Sequence, residues 1–156
     1  DVSFLGEIVD KLLDLRMYYD TYKPILLKVS PDLAHQQLDE IIDYCLRSGI
    51  DGIVAGNTTR SREGIESISK EKIDAIGNGG MSGAPLHQKN LELVRYVHAK
   101  SEGKLPIIGV GGIMTPQQAK AMLDAGASLV EIYTGFIYEG PALIKNIIKY
   151  LETPSK

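Results

Sequence analysis

The stretch Leu105-Pro106-Ile107-Ile108-Gly109-Val110-Gly111-Gly112-Ile113-Met114-Thr115-Pro116-Gln117-Gln118-Ala119 sets the organisation of this chain. An apolar, β-branched run predicts a buried strand over 105–110. Paired glycines then turn the chain. Thr115 is placed to cap a helix, Pro116 suits its first turn, and Gln118 stands where a capping box needs a partner. Gly126 ends that helix, and Ser128 to Tyr133 reads as the next strand.

Working outward, the same alternation recurs. Pro24 to Val29 and Ile50 to Ala55 are predicted strands. Leu38, Ile41, Ile42, Cys45 and Leu46 form a helical stripe between them, stopped by Gly49. A helix with Leu5, Ile8, Val9, Leu12 and Leu13 on one face, and Ser3 placed to cap it, precedes the first strand. Leu143, Ile144, Ile147, Ile148 and Leu151 follow Pro141 as a last amphipathic helix. Four strands, each followed by a helix, predict βα units around a parallel sheet, with strands apolar on both faces. One connection breaks the rhythm. Residues 56–90 are expected as a long functional loop holding Arg60, Arg62 and Asn78-Gly79-Gly80-Met81-Ser82-Gly83 before a helix near Leu91. Periodicity alone leaves two architectures open, an open doubly wound sheet and half of an eight-stranded barrel.

Composition narrows the function classes. A formal net charge of −3 gives no footprint for nucleic acid. The single cysteine, Cys45, excludes a disulfide framework or a multi-cysteine metal site, and its place on a helical stripe makes it a small buried hydrophobe. No metal site is expected. No run approaches the roughly 18 apolar residues of a membrane span. Asp1 to Leu5 is unlike a signal peptide, and the absence of an initiator Met suggests a piece of a longer protein. His35, His87 and His98 lie in polar, helix-flanking stretches and are expected to be solvated; Tyr18, Tyr19 and Tyr22 are expected to pack on the outside of the fold.

The chemistry-bearing residues fall at the C-terminal ends of the strands. Lys28 ends the first, Gly56-Asn57-Thr58-Thr59 the second, Gly109-Val110-Gly111-Gly112 the third and Tyr133-Thr134-Gly135 the fourth. In a barrel that rim carries the active site, and its last loops commonly hold a phosphate. Each feature alone has a plainer role. Strand-end glycines are mostly turn devices, and this pair lacks the dinucleotide fingerprint. Lys28 can snorkel from the barrel mouth as readily as it can serve an anion, which a lysine in an apolar strand otherwise needs. Together they suggest a phosphorylated cofactor and a small polar substrate.

Five runs, in this order and spacing, resemble the dihydroorotate dehydrogenase family: Leu27-Lys28-Val29-Ser30-Pro31-Asp32-Leu33; Gly56-Asn57-Thr58-Thr59; Gly79-Gly80-Met81-Ser82-Gly83-Ala84-Pro85-Leu86; Pro106 to Ile113; and Gly126 to Val130 with Ile132-Tyr133-Thr134-Gly135. The ending Tyr133 to Pro141 is similar to the quinone-using, membrane-associated class. The resemblance implies a (β/α)8 barrel of which this chain supplies the last four βα units, with residues 1–156 as the C-terminal half of a single FMN-binding domain. It implies oxidation of dihydroorotate to orotate in pyrimidine biosynthesis, a base taking a ring proton while hydride passes to FMN, which a quinone then reoxidises. By position, Lys28 lies at the flavin pyrimidine edge, where its charge favours the anionic reduced form. Gly56 contacts FMN without the hydroxyl of the threonine often found there. Gly83, Gly112, Tyr133 and Thr134 hold FMN, the last three near its phosphate. Asn57 and Thr58 hydrogen-bond the substrate ring. No catalytic base is expected in this chain, because the family's serine base lies upstream, as do the helices that bind quinone. The resemblance further implies peripheral attachment of the full protein to the cytoplasmic face of the inner membrane, a soluble segment here, and self-association or pairing with the missing half-barrel. Competing readings are another FMN barrel acting on a pyrimidine, as in a dihydropyrimidine dehydrogenase domain, and a non-catalytic phosphate-binding half-barrel.

Overall fold

The computed structural model describes residues 2–153, the side chains of Val2 and Ser3 excepted. Its centre is a four-stranded sheet, β1 (Leu26–Val29), β2 (Gly52–Ala55), β3 (Ile107–Val110) and β4 (Leu129–Glu131), paired in sequence order and parallel throughout. That order decides between the two architectures left open. A doubly wound sheet reverses its strand order part-way, whereas sequential right-handed βα connections curl one way, as in a barrel.

Helices α1 (Val2–Arg16), α2 (His35–Ser48), α4 (His87–Lys100), α5 (Pro116–Asp124) and α7 (Pro141–Glu152) pack beside one another in chain order. Ile53 and Ile107 from the middle strands meet Ile42, Val94, Val97 and Met122 from the helices, all fully buried. Cys45 lies in this core as expected, and burial pushes its thiol up to about 11. The register aligns Lys28, Val54, Ile108 and Leu129 across the sheet. Alternation turns this row away from the residues that pack on the helices. Hence Leu26 and Leu129 on the outer strands stay exposed, and the strands are not apolar-buried on both faces as the sequence suggested.

Several local expectations change. Helix α1 already includes Ser3, which is therefore not its cap. The strands begin later than their apolar runs, because Ile50 and Leu105 are buried as plugs just before β2 and β3. Thr115 caps α5 as predicted, accepting from the Gln118 backbone N–H at 3.3 Å, but the Gln118 side chain reaches back to the Met114 N–H at 2.8 Å. Residues 56–90 contain helix α3 (Lys70–Ile76) and a 3-10 turn (Ala84–Leu86), and α4 starts at His87, before the expected place. A short helix α6 (Thr134–Glu139) precedes α7. Tyr18 and Tyr19 project into solvent, while Tyr22 stacks under Arg16 and hydrogen-bonds Asp51. Asp51 also accepts from Arg16 and from the Ile25 N–H, both at 2.7 Å, tying α1 to the entry of the sheet.

A second acidic brace supports the rim. Asp32, in the loop after β1, accepts from Lys89 Nζ of α4 at 2.6 Å, from the Thr59 hydroxyl at 2.6 Å and from the Arg60 N–H at 2.7 Å. Partial burial alone would raise the Asp32 pKa, but these three donors outweigh it and lower it to about 2. Because the folded pKa lies below the ordinary value of 3.8, the brace stabilises fully above that value and is lost as pH falls toward 2. Asp32→Asn is expected to cost about 1 kcal/mol at neutral pH, given charge-assisted bonds in a partly exposed place. Urea midpoints of wild type and variant should converge as pH is lowered from 4 to 2; parallel curves would rule the brace out.

The sheet edges generate a second expectation. Strands β1 and β4 each have a neighbour on one side only, and Leu26 and Leu129 stand exposed there. Unpaired edges with apolar flanks are templates for association. The 156-residue chain on its own should sediment as oligomers or aggregates at micromolar concentration; a monodisperse monomer would contradict this.

Candidate functional site

At the C-terminal ends of the strands a cavity of about 320 Å³ opens. Lys28, Gly56, Asn57, Thr58, Gly83, Gly112, Tyr133 and Thr134, the residues singled out from sequence, all line it. They come from every strand end and from the long connection, so only the fold unites them.

Each wall has a local cause. Gly111 and Gly112 adopt φ of 117° and 69°, a region that disfavours side chains. A Cβ on Gly112 would also stand 2.3 Å from the His87 backbone nitrogen, so the turn and the start of α4 are in close contact. The long connection folds back on the end of β2. Thr59 and Met81 exchange backbone hydrogen bonds of 3.1 and 2.7 Å, and Arg62 Nη2 donates to the Gly79 carbonyl at 2.7 Å. Gly80 thereby lies against Thr58; a Cβ there would be 2.1 Å from its hydroxyl. The Thr134 hydroxyl donates to Ser82 Oγ at 3.1 Å, joining the end of β4 to the same connection. Asn57 Oδ1 accepts from the Thr58 N–H at 2.9 Å.

Lys28 is exposed at the cavity and makes no ion pair among the described residues. The desolvation that the sequence suggested for it is therefore absent within this chain. His87 departs from expectation in the other direction. It is half-buried with an unpartnered Nδ1, and burial pushes its imidazole pKa down against a Gly111 backbone contact that raises it. His35 is exposed but stacks on Tyr96 at 4.6 Å, and His98 is exposed.

Two lining residues escaped sequence reading, Asn90 and Glu131. Asn90 left a trace, since it falls on the α4 stripe with Leu86, Val94 and Val97, where a polar residue is out of pattern. The cavity thus combines an ammonium, a carboxylate, amides, hydroxyls and glycine backbone with apolar walls from Leu86, Val110 and Ile113. Such a surface suits a flat, partly anionic heterocycle.

The chain is similar to known proteins along most of its length. The family model for dihydroorotate dehydrogenase matches residues 5–154. Among curated relatives, the dihydroorotate dehydrogenase (quinone) of Christiangramia forsetii is 53% identical over 80% of this chain and 35% of its own length. That of Salinispora arenicola is 46% identical over 85% and 38%. That of Proteus mirabilis is 41% identical over 96% and 43%. The chain thus spans well under half the length of these relatives. The crystal structure of the Eimeria tenella enzyme in complex with ferulenol superposes with a TM-score of 0.76 at 34% identity, over 85% of this chain and 34% of that one. Its ligand-free form gives 0.73 at 35% identity, over 81% and 34%. With four parallel βα units in sequence order and a rim cavity at their C-terminal ends, the chain belongs to the dihydroorotate dehydrogenase family.

Proposed function

We propose that this chain is the C-terminal half of a single FMN-binding barrel domain that oxidises dihydroorotate to orotate and passes the electrons to a quinone. The observation that carries the proposal is the convergence of Lys28, Asn57, Thr58 and the glycine turns on one cavity in a member of this family. The lining fits FMN: main chain at Gly112, Tyr133 and Thr134 borders the cavity where a phosphate would bind, and the Lys28 ammonium suits an electron-rich ring edge. Bound there, FMN supplies the hydride acceptor.

This chain's own residues bind and orient. Gly112, Tyr133 and Thr134 take the phosphate end, Gly83 and the Gly56 backbone flank the ring system, and Asn57 and Thr58 hold the substrate ring. Lys28 would place its positive charge at the flavin, where it would favour the anionic reduced form. The serine base and the quinone-binding helices belong to the other half of the domain. This chain alone is therefore inactive, and attachment to the inner membrane is a property of the whole protein. In the described residues no helix is long and apolar enough to cross a membrane. The test is to produce the chain with the other half of its barrel and assay dihydroorotate with a quinone acceptor. Loss of flavin colour on adding dihydroorotate supports the proposal, and a colourless protein without turnover overturns it.

Two variant sets refine the roles. Lys28→Ala should slow flavin reduction in rapid mixing by about a hundred-fold while FMN content changes little, the size expected for one preorganised electrostatic partner. Unchanged reduction rates would remove Lys28 from the mechanism. Asn57→Ala and Thr58→Ala should each weaken orotate binding about tenfold, since a buried polar partner is left unpaired. Titration of the flavin absorbance with orotate measures this, and unchanged affinity in both would exclude them from the substrate site.

A further inference from the structure

Helix α4 sends one polar side chain into an otherwise apolar stripe. Asn90 is completely buried. Its Nδ2 donates to the Val110 carbonyl at 2.7 Å and to the Asn57 carbonyl at 3.4 Å. Two carbonyl acceptors can be served only by the amide nitrogen, so the orientation of the amide is fixed. Oδ1 is left buried and without a partner. A buried polar atom left unpaired is unfavourable by itself and calls for a reason.

The neighbours of Asn90 are shaped for it. A Cβ on Gly111 would lie 1.9 Å from Nδ2, and a Cβ on Gly56 would lie 2.9 Å from Oδ1 and 2.8 Å from Leu93 Cδ2. Gly111 has a positive φ and would be glycine in any case, but Gly56 does not. Nothing in the backbone φ of Gly56 demands glycine; the space taken by Asn90 and Leu93 does. The amide therefore occupies room beside the strand end that any side chain at position 56 would claim.

We propose that Asn90 is a positioning residue of this site and that Gly56 is its steric counterpart. By holding the carbonyls of Asn57 and Val110 together, Asn90 sets the distance between the Asn57-Thr58 edge of the cavity and its Gly111-Gly112 edge. It acts through the backbone at Asn57, so substrate-ring recognition depends on a fully buried side chain in the cavity floor. The inference rests on the assignment of Asn57 and Thr58 to the substrate.

The experiment is a double-mutant cycle in the FMN-loaded protein that carries both halves of the barrel, with Asn90→Ala, Gly56→Ala and the pair. Asn90→Asp is added as an isosteric variant without the amide donor. Orotate Kd is read from the flavin absorbance shift, dihydroorotate KM and kcat are separated, and urea midpoints are recorded for each. Asn90→Ala and Asn90→Asp should raise the orotate Kd of the folded, flavin-loaded fraction about tenfold, the effect of one lost polar positioning contact, and raise KM more than they lower kcat. Gly56→Ala should weaken orotate binding and lower the urea midpoint when Asn90 is intact. It should do so several-fold less in the Asn90→Ala background, where only the end of the Leu93 side chain still crowds position 56. A purely structural role would lower midpoints while leaving orotate Kd within about twofold, and that result overturns the proposal, as do equal effects of Gly56→Ala in both backgrounds. If Asn90→Asp does not fold, Asn90→Ala and the cycle still decide. Wild-type protein that holds FMN but binds no orotate would instead sink the functional assignment itself.

Discussion

One carbonyl oxygen joins the parts of this molecule that matter for its site. Val110 O, at the end of β3, accepts the Gly56 N–H at 3.1 Å and the Asn90 side-chain amide at 2.7 Å. A carbonyl has two lone pairs, and both are used here. The contact therefore couples the end of β2, the end of β3 and helix α4, in the buried floor of the cavity. Beyond this point β2 and β3 separate into the Asn57-Thr58 segment and the Gly111-Gly112 turn, and the junction sets where each begins.

Around that junction the rim is held by polar contacts of increasing exposure. Asn90 is completely buried and donates to two main-chain oxygens. Thr59, also buried, shares Asp32 with Lys89 and with the Arg60 N–H, which ties the loops after β1 and β2 to the neighbouring turn of α4. Outermost, Arg62 gathers the carbonyls of Gly77 and Gly79, and Thr134 reaches Ser82. Lys89 and Asn90 are adjacent in sequence, so one turn of α4 supports both strand ends. Several cavity residues are thus held by one another, while the Lys28 ammonium makes no ion pair among the described residues and is available for a ligand.

The open side of the sheet has the same origin as the site. Parallel strands need coverage on both faces. Here the helices cover one, while the row of Lys28, Val54, Ile108 and Leu129 meets no second layer of helices or strands among the described residues. In the solved relatives this chain accounts for about a third of the polypeptide, 34% in each Eimeria tenella structure. Under the proposal that this chain is half of a barrel, closure would turn that row into an interior layer and set the exposed Lys28 beside groups from the other half.

The sequence by itself determined the order of elements and the positions of their chemical groups. Short apolar runs mark strands and period-3.6 apolar stripes mark helices, so the strands around Leu26–Val29, Gly52–Ala55, Ile107–Val110 and Leu129–Glu131 were legible to within a few residues, as was the Thr115 cap. The eight cavity residues were named from sequence too, those in or after strands because they depart from the apolar pattern and Gly83 through the family resemblance. Within 56–90 the sequence was a poor guide. Helix α3 has no buried residue, so no apolar stripe announced it. The half-burial of His87 depends on Gly112, and the exposure of Tyr18 and Tyr19 on what does not pack over them. Only the tertiary structure decided that β1 to β4 pair in sequence order, that Asp32 meets Lys89, and that Asn90 fits between Gly56 and Gly111. Those are contacts between residues far apart in the chain, and local periodicity carries no information about which distant partner fills a given space.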